Sequence, residues 1–262
     1  MSDIEPELVL RTDDGPVTTL SLNAVARRNA LSLELRAALE RTLRGAMADP
    51  DCRAIVLTGE GDHFCAGGDI VAMAGLDAIS GRNRLTSAHD IVRLLVEGEK
   101  PVVAAIEGYA VGAGLSLAAA CDIVVAGRSA RFACSFNRLG LVPDFGIAFT
   151  LPMRVGMGRA RRIMLAADTF DAEAAERWGL VDQVAEAGEA RRVAVALASR
   201  IAADAAPLSN AYAKRLLARM PGTLDDVLRA EADAQSILYA SRDFAEGRAA
   251  FLGKRKPSFE GR

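Results

Sequence analysis

The segment that most limits what this chain can become runs from Pro101 to Phe145. Val102–Ile106 is an apolar run rich in branched residues that closes at Gly108, the pattern of a buried strand. A turn of small residues follows, Ala110-Val111-Gly112-Ala113-Gly114. Leu115–Cys121 is then built from Ala, Leu and Ser, which predicts a helix packed closely on all sides. A strand that feeds a helix through glycine directs the free N–H groups of the helix start toward one point. A carbonyl oxygen or an oxyanion is stabilised there.

A second turn of this kind lies upstream, where strand Ala54–Thr58 runs into Gly59-Glu60-Gly61-Asp62-His63-Phe64-Cys65-Ala66-Gly67-Gly68-Asp69-Ile70. Two such turns could give one N–H apiece to a single oxygen, although each alone reads equally well as a tight turn. The strand, turn and helix recur after about forty to fifty residues. Stacked repeats of this order suit either a superhelix or a doubly wound sheet, and the pattern does not choose between them.

Composition removes several functions. The 262 residues are 51% hydrophobic and 25% charged, enough for a sizeable soluble core. A net charge of −2 with 5% aromatic residues provides neither a basic groove nor base-stacking platforms, so no nucleic acid is expected. No apolar run approaches a membrane span, and with a start of MSDIEPE no leader is expected. Cys52, Cys65, Cys121 and Cys134 lack metal-ligand spacing and read as free thiols of a reducing cytoplasm; with only His63 and His89 beside them, no metal is expected.

Along the chain, Leu8–Leu10 and Val17–Leu22 predict a hairpin turning at Asp13-Asp14-Gly15-Pro16. Ser32 caps a helix with Leu35, Leu39, Leu43 and Met47 on one face, ended by Asp49-Pro50. In Ala72–Glu99 only Ala88–Val96 reads as helical, and the first half is expected to be mobile, forming the wall of a pocket. Later helices are expected at Ala172–Trp178 capped by Asp171, at Glu189–Ala203, from Pro207 to Met220 with a break at Pro221-Gly222, and from a Thr223/Asp226 capping box to Ser241. Leu224, Val227, Leu228, Ile237 and Leu238 form a stripe that suits subunit contact or packing within the chain.

Taken in order, FCAGGDI (Phe64–Ile70), IEGYAVGAGLSLAAACDI (Ile106–Ile123) and FNRLGLVPD (Phe136–Asp144) resemble the crotonase, or enoyl-CoA hydratase/isomerase, superfamily. The resemblance extends from ARRNALSLEL (Ala26–Leu35) to FLGKRKPSF (Phe251–Phe259). It implies an α/β fold, the crotonase (ClpP-like) spiral of ββα repeats. It also implies a core over 1–200 with the acyl-CoA site, and a helical oligomerisation region over 201–262 that builds homotrimers, often paired as hexamers. Coenzyme A enters as part of the substrate and no separate cofactor is implied.

By this resemblance the N–H groups of Gly68 and Ala113 hold the thioester carbonyl and stabilise an enolate. The two glutamates of the hydratases are replaced by Ser116 and Phe136, neither of which is a general acid or base at neutral pH. Asp144 stands where the Δ3,Δ2-enoyl-CoA isomerases and the ring isomerases of phenylacetate breakdown carry their acid. Between Phe136, Pro143 and Phe145 its pKa is expected to rise. Isomerisation of 3-enoyl-CoA to 2-enoyl-CoA is therefore the leading expectation. The alternatives are a hydratase, an aryl-CoA dehalogenase with Asp144 as nucleophile, Phe136 as the aromatic and His89 as its histidine, and a non-catalytic CoA-ester binder. The CoA moiety is expected along Arg27, Arg28 and Ala30, the turn Ala66, Gly67, Asp69 and Ile70, the segment Tyr109, Val111 and Gly112, and the tail residues Lys256 and Phe259, the last reaching from a neighbouring subunit. His63 is expected to be solvated.

Overall fold

The computed structural model describes residues 7–219 and 222–262. The chain opens with β1 (Val9–Asp14) and β2 (Val17–Leu22), paired antiparallel with Asp14 opposite Val17. Only Gly15-Pro16 turns the hairpin, so Asp13 and Asp14 are strand residues rather than part of the expected four-residue turn. Then come α1 (Leu33–Ala48), β3 (Ala54–Gly59), α2 (Ala78–Thr86), α3 (His89–Glu97), β4 (Val102–Ile106), β5 (Tyr109–Val111), α4 (Ala113–Ala120), β6 (Ile123–Gly127) and β7 (Arg131–Ala133). The chain continues through α5 (Ile147–Ala166), β8 (Thr169–Asp171), α6 (Ala172–Arg177), β9 (Gln183–Ala185), α7 (Ala190–Asp204), α8 (Pro207–Ala218), α9 (Leu224–Tyr239) and α10 (Arg242–Leu252). The expected end of a helix at Met220 and its break at Pro221 lie outside the described residues.

Strand order decides between the two architectures. The main sheet runs β1-β2-β3-β4-β6-β9, each later strand added parallel beside the one before, with no reversal. A doubly wound sheet would switch direction part-way. The skipped strands β5, β7 and β8 form a second, three-stranded sheet. Each repeat therefore contributes to two layers before the chain passes to the next, which is a spiral.

Alternation along the strands fills both faces of the main sheet. Leu20, Leu22, Ile55, Leu57, Ala104 and Ile106 face the core shared with Leu35, Leu39 and Leu43 of α1. Val17, Ala54, Val56, Val103 and Ala105 face α7, whose Ala190, Ala194, Ala198 and Ala202 repeat every fourth residue. That alanine stripe lets α7 lie close against the sheet.

The caps are largely those the sequence shows. Ser32 accepts from the Leu35 N–H at 3.2 Å, Asp171 from Ala174 at 2.8 Å and Thr223 from Asp226 at 3.2 Å. Two expectations change. The first half of Ala72–Glu99 contains α2, started by an Asp77/Ser80 capping box. Ser241 is not the end of a long helix but the N-cap of α10. The helix α5, which was not among the expected helices, bends at Gly156, where φ is 74° and ψ 156°. Among the described residues no helix is long and apolar enough to cross a membrane.

Candidate active site

The turn after β3 is threaded between two neighbours by backbone hydrogen bonds. Phe64 and Cys65 N–H donate to the carbonyls of Glu107 and Tyr109, and Ala66 N–H donates to Arg28 at 3.0 Å. In return Val111 N–H donates to the Cys65 carbonyl, and Leu31 N–H to Gly67 at 2.7 Å. Asn29, fully buried at φ 56°, holds the same loop with its side chain: Nδ2 donates to the Glu60 and His63 carbonyls at 3.0 and 2.7 Å. The short polar side chain makes the left-handed backbone tolerable there. The start of α4 is pressed against this loop so closely that a Cβ at Gly114 would stand 2.3 Å from the Cys65 carbonyl.

The two glycine turns are thereby brought face to face. A Cβ built on Gly67 would lie 3.8 Å from the Ala113 nitrogen. Gly68 and Ala113 line one cavity, and among the described residues neither N–H donates to a protein acceptor. Ala113 is the first residue of α4, where the helix dipole adds partial positive charge. Two free donors at one cavity are suited to an oxygen bearing negative charge.

The same cavity is lined by Asp144, reached through a 3-10 turn at Phe136–Leu139 and the loop behind it. Its Oδ1 is buried with no hydrogen-bond partner. Burial pushes its carboxyl above the ordinary carboxylate range, and the positive charges of Arg36 and Arg84 pull it part of the way back. The expected rise is thus present, but with opposing cations that lie distant in sequence. Arg36, Ala66, Gly67, Ile70, Gly112 and Phe136 also border the cavity.

Several expected residues are elsewhere. Ser116 is fully buried and does not line the cavity; its hydroxyl donates back to the Gly112 carbonyl at 3.2 Å. Asp69 accepts from Arg27 at 2.8 Å and from the Ala72 N–H, so it ties the turn to the Arg27 side. Arg28 lies 6.0 Å over the Tyr109 ring, on whose ring His63 stacks at 4.7 Å. His63 is therefore a partly covered stacking partner and not merely solvated. Arg27, Arg28, Ala30, Tyr109, Val111 and Pro143 do not line the cavity; Arg27, Arg28 and Tyr109 are exposed. Lys256 is exposed; Phe259 packs toward Gly247 and its carbonyl accepts from Arg53 at 2.7 Å. Neither reaches the cavity within one chain. His89 is exposed at the start of α3 and does not line it either. Burial drives the Cys65 thiol up to about 12, which removes it as a nucleophile.

The sequence of this arrangement matches the enoyl-CoA hydratase/isomerase family model over residues 13–262. The chain belongs to that family. Among curated relatives of the family, 1,2-epoxyphenylacetyl-CoA isomerase of Escherichia coli K12 is 35% identical over 98% of this chain and 99% of its own. Crotonyl-CoA hydratase of Syntrophomonas wolfei is 34% identical over 97% and 98%. A solved enoyl-CoA hydratase from Polaromonas sp. JS666 superposes with a TM-score of 0.91 at 35% identity, covering 96% of this chain and 99% of that one. Isomerases and hydratases of the family thus stand at similar distance, and overall similarity does not choose a reaction.

Arg36 and Arg84 are the site residues that sequence reasoning missed. Arg36 lies on α1 directly after Leu35 of the apolar stripe, where a charged residue ordinarily reads as solvated. Nothing in the sequence marks it as buried.

Proposed function

We propose that this acyl-CoA enzyme moves a double bond, converting a 3-enoyl-CoA to a 2-enoyl-CoA with Asp144 as its single acid and base. The observation that carries this reading is the buried, unpartnered Oδ1 of Asp144, whose residue lines the same cavity as Gly68 and Ala113 with their free N–H groups. The carboxylate takes a proton from C2. The C2–H electron pair spreads through the thioester and the C3–C4 double bond, and the carbonyl oxygen, held by the two N–H groups, carries the charge. Asp144 then returns the proton at C4, leaving the double bond between C2 and C3. No water or other co-reactant is consumed, and a carboxyl with a raised pKa suits both halves. CoA would lie along Arg27, Arg28 and Ala30, with Lys256 and Phe259 supplied by a neighbouring copy.

Hydration is disfavoured by Ser116 and Phe136, since neither places a second acid in the cavity. The dehalogenase reading loses its histidine to the surface. Assembly as a homotrimer, or a pair of trimers, through 201–262 is part of the proposal. Exposed Leu224, Leu228 and Ile237 on α9 offer apolar surface for it. The deciding assay follows 3-enoyl-CoA and 2-enoyl-CoA separately with wild type and Asp144→Ala. Rapid 3-to-2 conversion abolished by the substitution, with negligible hydration, supports the mechanism; hydration that survives it rejects the mechanism.

A further inference from the structure

Arg36 is 3% exposed and Arg84 7%, yet both sit beside the candidate reacting groups. Among the described residues the Arg36 side chain makes one hydrogen bond, from Nη1 to the Arg84 carbonyl at 3.3 Å. Its Nε, together with Nε and Nη2 of Arg84, is buried without a partner. The guanidinium of Arg36 lies 4.9 Å over the Phe145 ring and borders the cavity. Its Nη2 would stand 3.8 Å from a Cβ on Gly68, so it reaches the side of the cavity where Gly68 has its free N–H.

Buried cations normally come with acids, because an unpaired guanidinium loses its hydration and gains nothing in return. Here Asp144 is the carboxylate whose charge acts on Arg36, and among the described residues the two form no ion pair. Two guanidinium groups against one carboxylate leave a positive charge over, and Arg36, which borders the cavity, has donors without a partner among the described residues. A neutral alkyl chain would cover those donors and satisfy none. A carboxylate would accept from the planar fork and balance the charge.

We propose that Arg36, backed by Arg84, binds a carboxylate on the acyl group, so that the preferred substrates are short acyl-CoA thioesters bearing a second carboxylate. The proposal rests on the cavity's being the acyl-CoA site. The cavity is small, about 60 Å³, which favours a short acyl group. The nearness of Arg36 to Gly68 likewise sets the second carboxylate a few bonds from the carbonyl.

Calorimetric titration with glutaryl-CoA and pentanoyl-CoA tests this, since the two have equal chain length and differ in the terminal carboxylate. Both are saturated, so the result does not depend on double-bond migration. Wild type is expected to bind glutaryl-CoA at least about tenfold more tightly. The ratio should fall to about one in Arg36→Met and return in part in Arg36→Lys. If Arg36→Met does not fold, Arg84→Met decides, with an expected fall in the ratio of about threefold or more. Equal affinities in wild type, or a preference that survives these substitutions, would overturn the carboxylate site and leave the isomerase reading standing. Absence of 3-enoyl-CoA turnover with the binding preference intact would do the reverse. Binding of neither ligand would end both.

Discussion

Gly67 passes Val111 so closely that a Cβ on the glycine would stand 2.9 Å from the Val111 carbonyl oxygen. With φ at 105°, Gly67 also occupies backbone space that other residues rarely enter. This contact sets the free N–H of Gly68 beside that of Ala113. Gly67→Ala must push the two turns apart. Turnover should fall on the order of 10²–10³-fold, as when one oxyanion donor is withdrawn. Steady-state kinetics beside circular dichroism will distinguish this from unfolding; unchanged kcat in a folded variant contradicts the pairing.

Asp144→Asn tests stability as well as chemistry. Because the folded carboxyl has a raised pKa, the native state holds its proton more tightly than the unfolded chain does. Its contribution to stability is therefore full below the unfolded pKa and is lost as pH rises through the folded pKa. At neutral pH the asparagine variant should be inactive yet melt at or above the wild-type temperature, and the advantage should disappear in acid. A melting series from pH 4 to pH 8, read with calorimetry, checks the sign.

Arg36→Met should move the acidic limb of the rate profile to higher pH. The arginine's charge favours ionised Asp144, so its removal raises the carboxyl further. An acidic limb that stays in place would mean that Arg36 does not act on the base in the working enzyme.

Lys214 binds α8 to the spiral. Its buried ammonium donates to the carbonyls of Leu95 and Lys100 at 2.9 Å each and to Asp122 Oδ2 at 2.6 Å. Burial raises the Asp122 carboxyl and Lys214 opposes that rise. Lys214→Met should cost on the order of 3 kcal/mol, the low end for a broken buried pair because the Asp122 side chain keeps 27% of its exposure. Urea denaturation should show the loss, and it should shrink as Asp122 is protonated.

Local signals carried far in this chain. Ser32, Asp171 and Thr223 cap as their types and positions predict, because a cap is settled within one helical turn. Ser241 shows the limit, since the same residue type ends one helix and begins another depending on where the next segment packs. The start of α2 was missed although its signal, the Asp77/Ser80 capping box, is local; the bend of α5 lies at Gly156, where φ is 74°.

The sequence by itself determined the first four strands and the two glycine turns, which follow from residue type and near neighbours. That Ser116 and Phe136 stand at the places of the hydratase glutamates, with Asp144 as the acid, is what the family resemblance implies. Tertiary structure alone decided that the strands add without reversal into a spiral, that Gly67 and Val111 bring the two free N–H groups together, and that His89 stays outside. It also decided that Arg36 and Arg84 are buried beside Asp144. A side chain's charge is written in the sequence, but its solvation is set by what the rest of the chain packs around it.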